Sequence, residues 1–178
     1  MSRIDPATRV TRTWRRAVPL LALVALLGAC AHAPLDAEGV DLALTPEDVR
    51  ADADGTRDRA VIWGGQIVRA ENLADSTRLE IVSYPLDARS QRPRAEQRPG
   101  ARFLVDRAGY LETAEYEPGR SITVRGRVTG TEAGRIGEAD YDYPVVTADE
   151  MHLWPRRAAG AERAQPRINF GVGIIFSR

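Results

Sequence analysis

Hydrophobic and polar residues alternate most cleanly between positions 121 and 129. Ile122, Val124 and Val128 fall on one side, and Ser121, Thr123, Arg125, Arg127 and Thr129 on the other. A period of two marks a strand with one buried face, so 121–129 is predicted as a β-strand. Gly126 takes an inward position, where a barrel strand can coil. Residues 77–84 repeat the pattern, with Leu79 and Ile81 opposite Arg78 and Glu80. Residues 60–72 hold Val61, Ile62, Trp63, Ile67 and Val68, a run of strand formers. Gly64-Gly65 interrupts that run and predicts a bulge or a sharp barrel bend. A short strand over 102–106 and a long one over 141–154 complete the set, with 130–140 read as a turn region.

Two short helices are predicted between these strands. Thr45-Pro46-Glu47-Asp48 opens the first: a capping hydroxyl, a proline suited to the first turn, and acids at the positive end of the dipole. It runs to about residue 53 and breaks at Asp54-Gly55. Residues 111–116 are good helix formers and end at Pro118-Gly119. Residues 85–100 form a long irregular loop with four arginines and two internal prolines. The order is three strands, a short helix, then two strands. It matches an all-β, five-stranded barrel of the oligonucleotide/oligosaccharide-binding (OB) type; an open β-sandwich is the alternative. Closure would remove the exposed edges that a small sheet otherwise presents. A last apolar run, 168–176, predicts a terminal strand. Tyr84-Pro85 and Tyr143-Pro144 pair an aromatic with a following proline, the setting in which a cis bond is least disfavoured.

The N-terminal pattern is of another kind. Arg3, Arg9, Arg12, Arg15 and Arg16 precede an apolar run over 17–27, and Leu26-Leu27-Gly28-Ala29-Cys30 follows. A basic start, an apolar stretch too short to span a bilayer, and small residues at the cut define a secretory signal. Cys30 is the only cysteine in the chain, and it stands where a lipobox places the lipidated residue. Cleavage between Ala29 and Cys30, with a covalent lipid on Cys30, is the expectation. One acyl chain anchors only marginally, so stable attachment implies several chains on that cysteine. The chain then divides into a signal peptide (1–29), a tether (30–44), a barrel domain (45–155) and a loose C-terminal segment (156–178).

Composition changes the picture in two respects. The whole chain has no net charge, but losing the leader leaves 20 basic against 24 acidic residues, which argues against nucleic acid as a partner. With its one cysteine lipidated, the domain has no disulfide and must be held by its core.

Candidate chemistry is sparse. The two histidines, His32 and His152, join no nucleophile elbow, paired metal motif or phosphate loop, so no catalytic residue and no enzyme activity are expected. No metal site is expected either: Glu138, Asp140 and Asp142 lack the spacing that gathers cation ligands and read as solvated charges or partners of a nearby arginine. No cofactor is implied beyond the lipid. Arg92, Arg94 and Arg98 in the long loop have the geometry to meet lipid phosphates, the alternative being a solvated loop. Trp63, Tyr84, Tyr141 and Tyr143 are candidates for a ligand or partner surface, the alternative being core and barrel-end packing. Tyr141 and Tyr143, two apart, share one strand face.

Val61-Ile62-Trp63-Gly64-Gly65-Gln66-Ile67, Thr77-Arg78-Leu79-Glu80, Tyr84-Pro85-Leu86-Asp87 and Arg102-Phe103-Leu104 occur in order. Tyr116-Glu117-Pro118-Gly119-Arg120, Val124-Arg125-Gly126, Ile136-Gly137-Glu138 and Tyr141-Asp142-Tyr143-Pro144-Val145-Val146 complete the series. With the lipobox, this series resembles the Slp family of outer-membrane lipoproteins over roughly residues 45–154. The resemblance implies a lipoprotein on the periplasmic side of the outer membrane, linked to envelope stress or starvation. Its partners would be that membrane and an envelope protein or anionic lipid. The resemblance implies no reaction. A structural or adaptor role is the expected function, and a small-ligand or glycan-binding module using the barrel face is the alternative.

Overall fold

The computed structural model describes residues 33–156. Five strands form the fold: β1 (Ala60–Asn72), β2 (Ser76–Ser83), β3 (Arg102–Ala108), β4 (Ser121–Ile136) and β5 (Ala139–Leu153). They close into a barrel in the order β1-β2-β3-β5-β4. All neighbours are antiparallel except β3 and β5, which pair in parallel from Leu104 with Val145 to Asp106 with Thr147. Closure decides for the OB-like barrel over the open sandwich.

The alternation found in the sequence sets the core. Val61, Trp63 and Ile67 of β1 meet Leu79 and Ile81 of β2, Phe103 and Val105 of β3, Ile122, Val124 and Val128 of β4, and Val146 of β5. Trp63 stands edge-on to Phe103, ring centroids 5.3 Å apart. Gly65 pairs with Ser83 on one side and Ile122 on the other. A Cβ there would stand 1.9 Å from the Val82 carbonyl oxygen, so this position needs glycine for close approach. The bulge of β1 lies instead one turn of the strand later, where the register with β2 shifts between Ile67 and Arg69. β4 shifts register against β5 between Arg125 and Gly126, in keeping with the coil expected at that glycine.

One helix, α1 (Pro46–Ala51), precedes the barrel. The Thr45 hydroxyl accepts from the Asp48 N–H, and the Asp48 carboxylate accepts from the Thr45 N–H at 2.9 Å, a reciprocal cap. Its Val49 is fully buried in the barrel core. The helix predicted over 111–116 is absent; those residues form turns. The Leu111 N–H is taken by the Thr77 hydroxyl, and its carbonyl accepts from the Asn72 amide, so β2 and the end of β1 hold the start of this stretch before a helix can nucleate. The region read as a turn over 130–140 is mostly strand. β4 and β5 pair as far as Ile136 with Ala139, and Gly137, at φ 62°, with Glu138 makes the reversal. No cis peptide bond occurs among the described residues.

Residues 33–44, read from the sequence as tether, lie strapped on the barrel. Leu35 is buried, and its backbone forms two hydrogen bonds with the Gln91 side chain: N–H to Oε1 at 3.0 Å and Nε2 to the carbonyl at 2.9 Å. Further along, the Asp41 N–H donates to the Ala60 carbonyl, and Trp63 Nε1 donates to the Leu44 carbonyl at 2.7 Å. Cys30 and the run 168–176 lie outside the described residues.

Candidate functional site

On β1 the residues between the core positions point outward. Ile62 and Gly64 would meet solvent there, but the strap and the long loop after β2 rise on either side of them. A groove of about 620 Å³ remains between these walls. Its floor is Ile62, Trp63 and Gly64, one wall carries Ala33, Ala37, Leu42 and Leu44, and the other carries Tyr84, Pro85, Leu86 and Arg98. Leu42 is 67% exposed, an uncovered apolar side chain on the lip. Volume and apolar lining fall in the range of small-ligand sites.

The polar groups around the groove are mostly committed. Glu47 accepts from the Ala101 N–H. Asp87 accepts from the Ser90 N–H at 3.0 Å, Arg94 Nη2 at 2.8 Å and the Arg89 N–H at 3.1 Å. Those donors, the Ser90 backbone first, hold the Asp87 carboxyl well below the usual carboxylate range. Gln91 is spent on Leu35, and its own carbonyl accepts from the Thr123 hydroxyl at 2.7 Å. Thr123 in turn accepts from Trp154 Nε1 at 2.9 Å, so one buried relay runs from the end of β5 to the strap. Arg98 is exposed at the rim and has no carboxylate partner among the described residues.

The candidate residues read from the sequence are thus separated. Trp63, Tyr84 and Arg98 meet at the groove. Arg94 is paired to Asp87. Arg92 lies over the Trp154 ring, 5.2 Å from its centroid, and donates to the Pro155 carbonyl; it borders a separate, polar hollow of about 350 Å³ shared with Arg120 and Arg156. Trp154 also holds His152 edge-on at 4.3 Å.

Tyr141 and Tyr143 do share a face, ring centroids 4.7 Å apart, but away from the groove and already occupied. Tyr143 is buried against Leu104 and Val145, and its hydroxyl donates to the Arg135 carbonyl at 3.0 Å and to Glu80 at 3.4 Å. Burial, helped by the Glu80 charge, pushes the Tyr143 phenol up from its ordinary pKa. Tyr141 accepts from the Arg102 N–H at 2.9 Å and carries Arg50 over its ring at 4.2 Å. Asp140 has Arg135 as its neighbour at 3.9 Å.

Sequence reasoning missed Leu42, Ile62, Leu86 and Gln91. Nothing local marks them as a group, because the strap and the loop that join them are some 56 positions apart, as Leu35 and Gln91 are.

Two relatives are similar over about half of the chain. An uncharacterized protein of Haemophilus influenzae is 41% identical over 96 residues, 54% of this chain and 52% of the relative. The uncharacterized lipoprotein YeaY of Escherichia coli is 33% identical over 92 residues, 52% of this chain and 47% of the relative. The chain thus spans about half the length of the curated relatives it matches. Among solved structures, a small single-stranded DNA-binding protein from Streptomyces coelicolor matches at 15% identity and TM-score 0.36, covering 54% of this chain and 94% of that one. The mitochondrial single-stranded DNA-binding protein Rim1 of S. cerevisiae matches at 13% and 0.35, with the same coverage. The family model described as outer membrane lipoprotein Slp family matches residues 27–172. That match extends beyond 45–154 at both ends, taking in Cys30 and most of the C-terminal segment.

Proposed function

Since the chain belongs to the outer membrane lipoprotein Slp family, we propose that it is anchored through a lipid on Cys30, faces the periplasm, and serves a non-enzymatic, adaptor-type role in the cell envelope. The observation that carries this reading is the strap. Leu35 is pinned to the barrel by Gln91, so the fixed point lies five positions from Cys30, a reach of at most about 18 Å. An anchored barrel would therefore ride close against the membrane, with limited freedom to swing. A surface held at fixed height and orientation suits a module that engages envelope components, and it needs no reactive centre.

Protease accessibility tests the orientation. The chain should survive protease added to intact cells and be digested once the outer membrane is permeabilised. Digestion in intact cells would place it on the outer surface and overturn the periplasmic reading.

A second reading, binding of a small apolar ligand, is favoured by one specific observation. The groove under the strap keeps an exposed leucine on its lip, and exposed apolar surface of that kind marks interaction sites.

A further inference from the structure

We propose that the groove between the strap and the 84–100 loop takes up one acyl chain of an anionic membrane phospholipid, with Arg98 meeting the phosphate. This rests on the anchoring and ligand-binding readings above and names the ligand class.

Three observations converge. First, the groove is apolar along its length, with Ile62 and Trp63 on its floor and Leu42 and Leu86 on opposite walls. Leu42 is left uncovered, which leaves an entry for an apolar chain whose burial is favourable. Second, Arg98 is the open cation at the rim. Asp87 is ion-paired to Arg94 and Glu47 accepts from the Ala101 N–H, while Arg98 has no carboxylate partner among the described residues. A planar, permanently charged donor fork suits a phosphate. Third, Ala33 lines the groove and lies three positions from Cys30, at most about 11 Å of chain. The groove therefore opens close to the surface from which lipids would enter. Arg92, also without a carboxylate among the described residues, is turned to Trp154 and Pro155, and Arg89 does not line the groove.

The test uses the full chain, lipidated in cells and reconstituted in vesicles. Two vesicle compositions are compared: phosphatidylglycerol or phosphatidylcholine as the minor lipid, each brominated in mid-chain, in an unbrominated phosphatidylcholine background. Bromine quenches tryptophan only at short range, and in a Trp154→Phe background Trp63, on the groove floor, is the one tryptophan left after residue 29. Only protein that floats with the vesicles is measured, so failure to float overturns the anchoring reading and is separable from a floating protein that is not quenched. The expected result is saturable quenching by brominated phosphatidylglycerol, about tenfold weaker with phosphatidylcholine, whose phosphate is offset by its own choline cation and so attracts Arg98 less. Arg98→Glu should abolish that preference, since a hydrogen bond to a charged group contributes a factor of ten or more. Leu42→Asp, at a side chain exposed enough to leave folding intact, should weaken quenching by both lipids. Floating protein that shows no quenching overturns the proposal. Equal quenching by both lipids, unchanged by Arg98→Glu, overturns the phosphate contact and with it the proposed ligand class.

Discussion

The strap is held to the barrel by the Gln91 amide, and replacing it with asparagine isolates that attachment. Gln91 sits at φ 58°, in the left-handed region that asparagine tolerates and most residues do not. Gln91→Asn therefore keeps the backbone while shortening the side chain by one methylene, too short to meet both the Leu35 N–H and carbonyl. If the strap stayed in place, two buried backbone groups would lose their partners at about 1–3 kcal/mol each. Releasing the strap costs instead the burial of the Leu35 side chain, about 1.5–3 kcal/mol. The variant takes the cheaper route, so the loss is roughly 1.5–3 kcal/mol and confined to the strap. At about 1.4 kcal/mol per decade this makes local opening roughly 10 to 150 times more frequent. Amide hydrogen exchange reads it directly: the Leu35 amide should exchange faster by that factor, while Ile81 and Val146 in the barrel keep their protection. An unchanged Leu35 amide would refute the clamp. Equal acceleration throughout the barrel would refute its local character.

Other consequences follow from single groups. Asp87 and Asp48 are both held below the ordinary carboxylate range, Asp87 first by the Ser90 backbone and Asp48 first by the Thr45 hydroxyl. A depressed folded pKa gives stability that is present above about pH 4 and lost as pH falls below it. Thermal midpoints from pH 6 to pH 2 should therefore fall less steeply for Asp87→Asn than for wild type. Tyr143 shifts the opposite way, so its contribution is intact below about pH 10 and is lost as pH rises through the raised folded value. Denaturation between pH 9 and pH 12 should show a smaller loss for Tyr143→Phe. Gly65→Ala drives a methyl to 1.9 Å from the Val82 carbonyl oxygen; a cost of about 3 kcal/mol or more should lower the thermal midpoint by roughly 10 °C.

The barrel was legible because it rests on local signals. Leu79 and Ile81 in β2, and Ile122, Val124 and Val128 in β4, alternate without ambiguity and form the core. Thr45, Pro46 and Asp48 announce α1 within one turn. Errors arose where tertiary context overrides composition. Helix formers at 111–116 are captured as turns by Thr77 of β2 and Asn72 of β1. Gly130 and Gly134 read as turn residues yet lie in β4, and Gly134 leaves room for the Tyr143 ring, which a Cβ would approach to 2.9 Å.

The candidate site was legible only in part. Trp63, Tyr84 and Arg98 carry types suited to binding and do meet at the groove. Tyr141 and Tyr143 also stand side by side, but Arg102, Arg135 and Glu80 use their hydroxyls. What makes the groove is the return of residues 33–44 over β1. That return is held by long-range contacts, Leu35 with Gln91, Asp41 with Ala60 and Leu44 with Trp63, which no pattern along the chain reveals.

The lipid anchor underlies the whole account, and intact mass with membrane fractionation, wild type beside Cys30→Ser, tests it most directly. Wild type should carry the added mass of several acyl chains beginning at residue 30 and co-fractionate with the outer membrane, while Cys30→Ser loses the lipid mass and leaves that fraction. Wild-type protein that is unmodified and free in solution would contradict the anchored account.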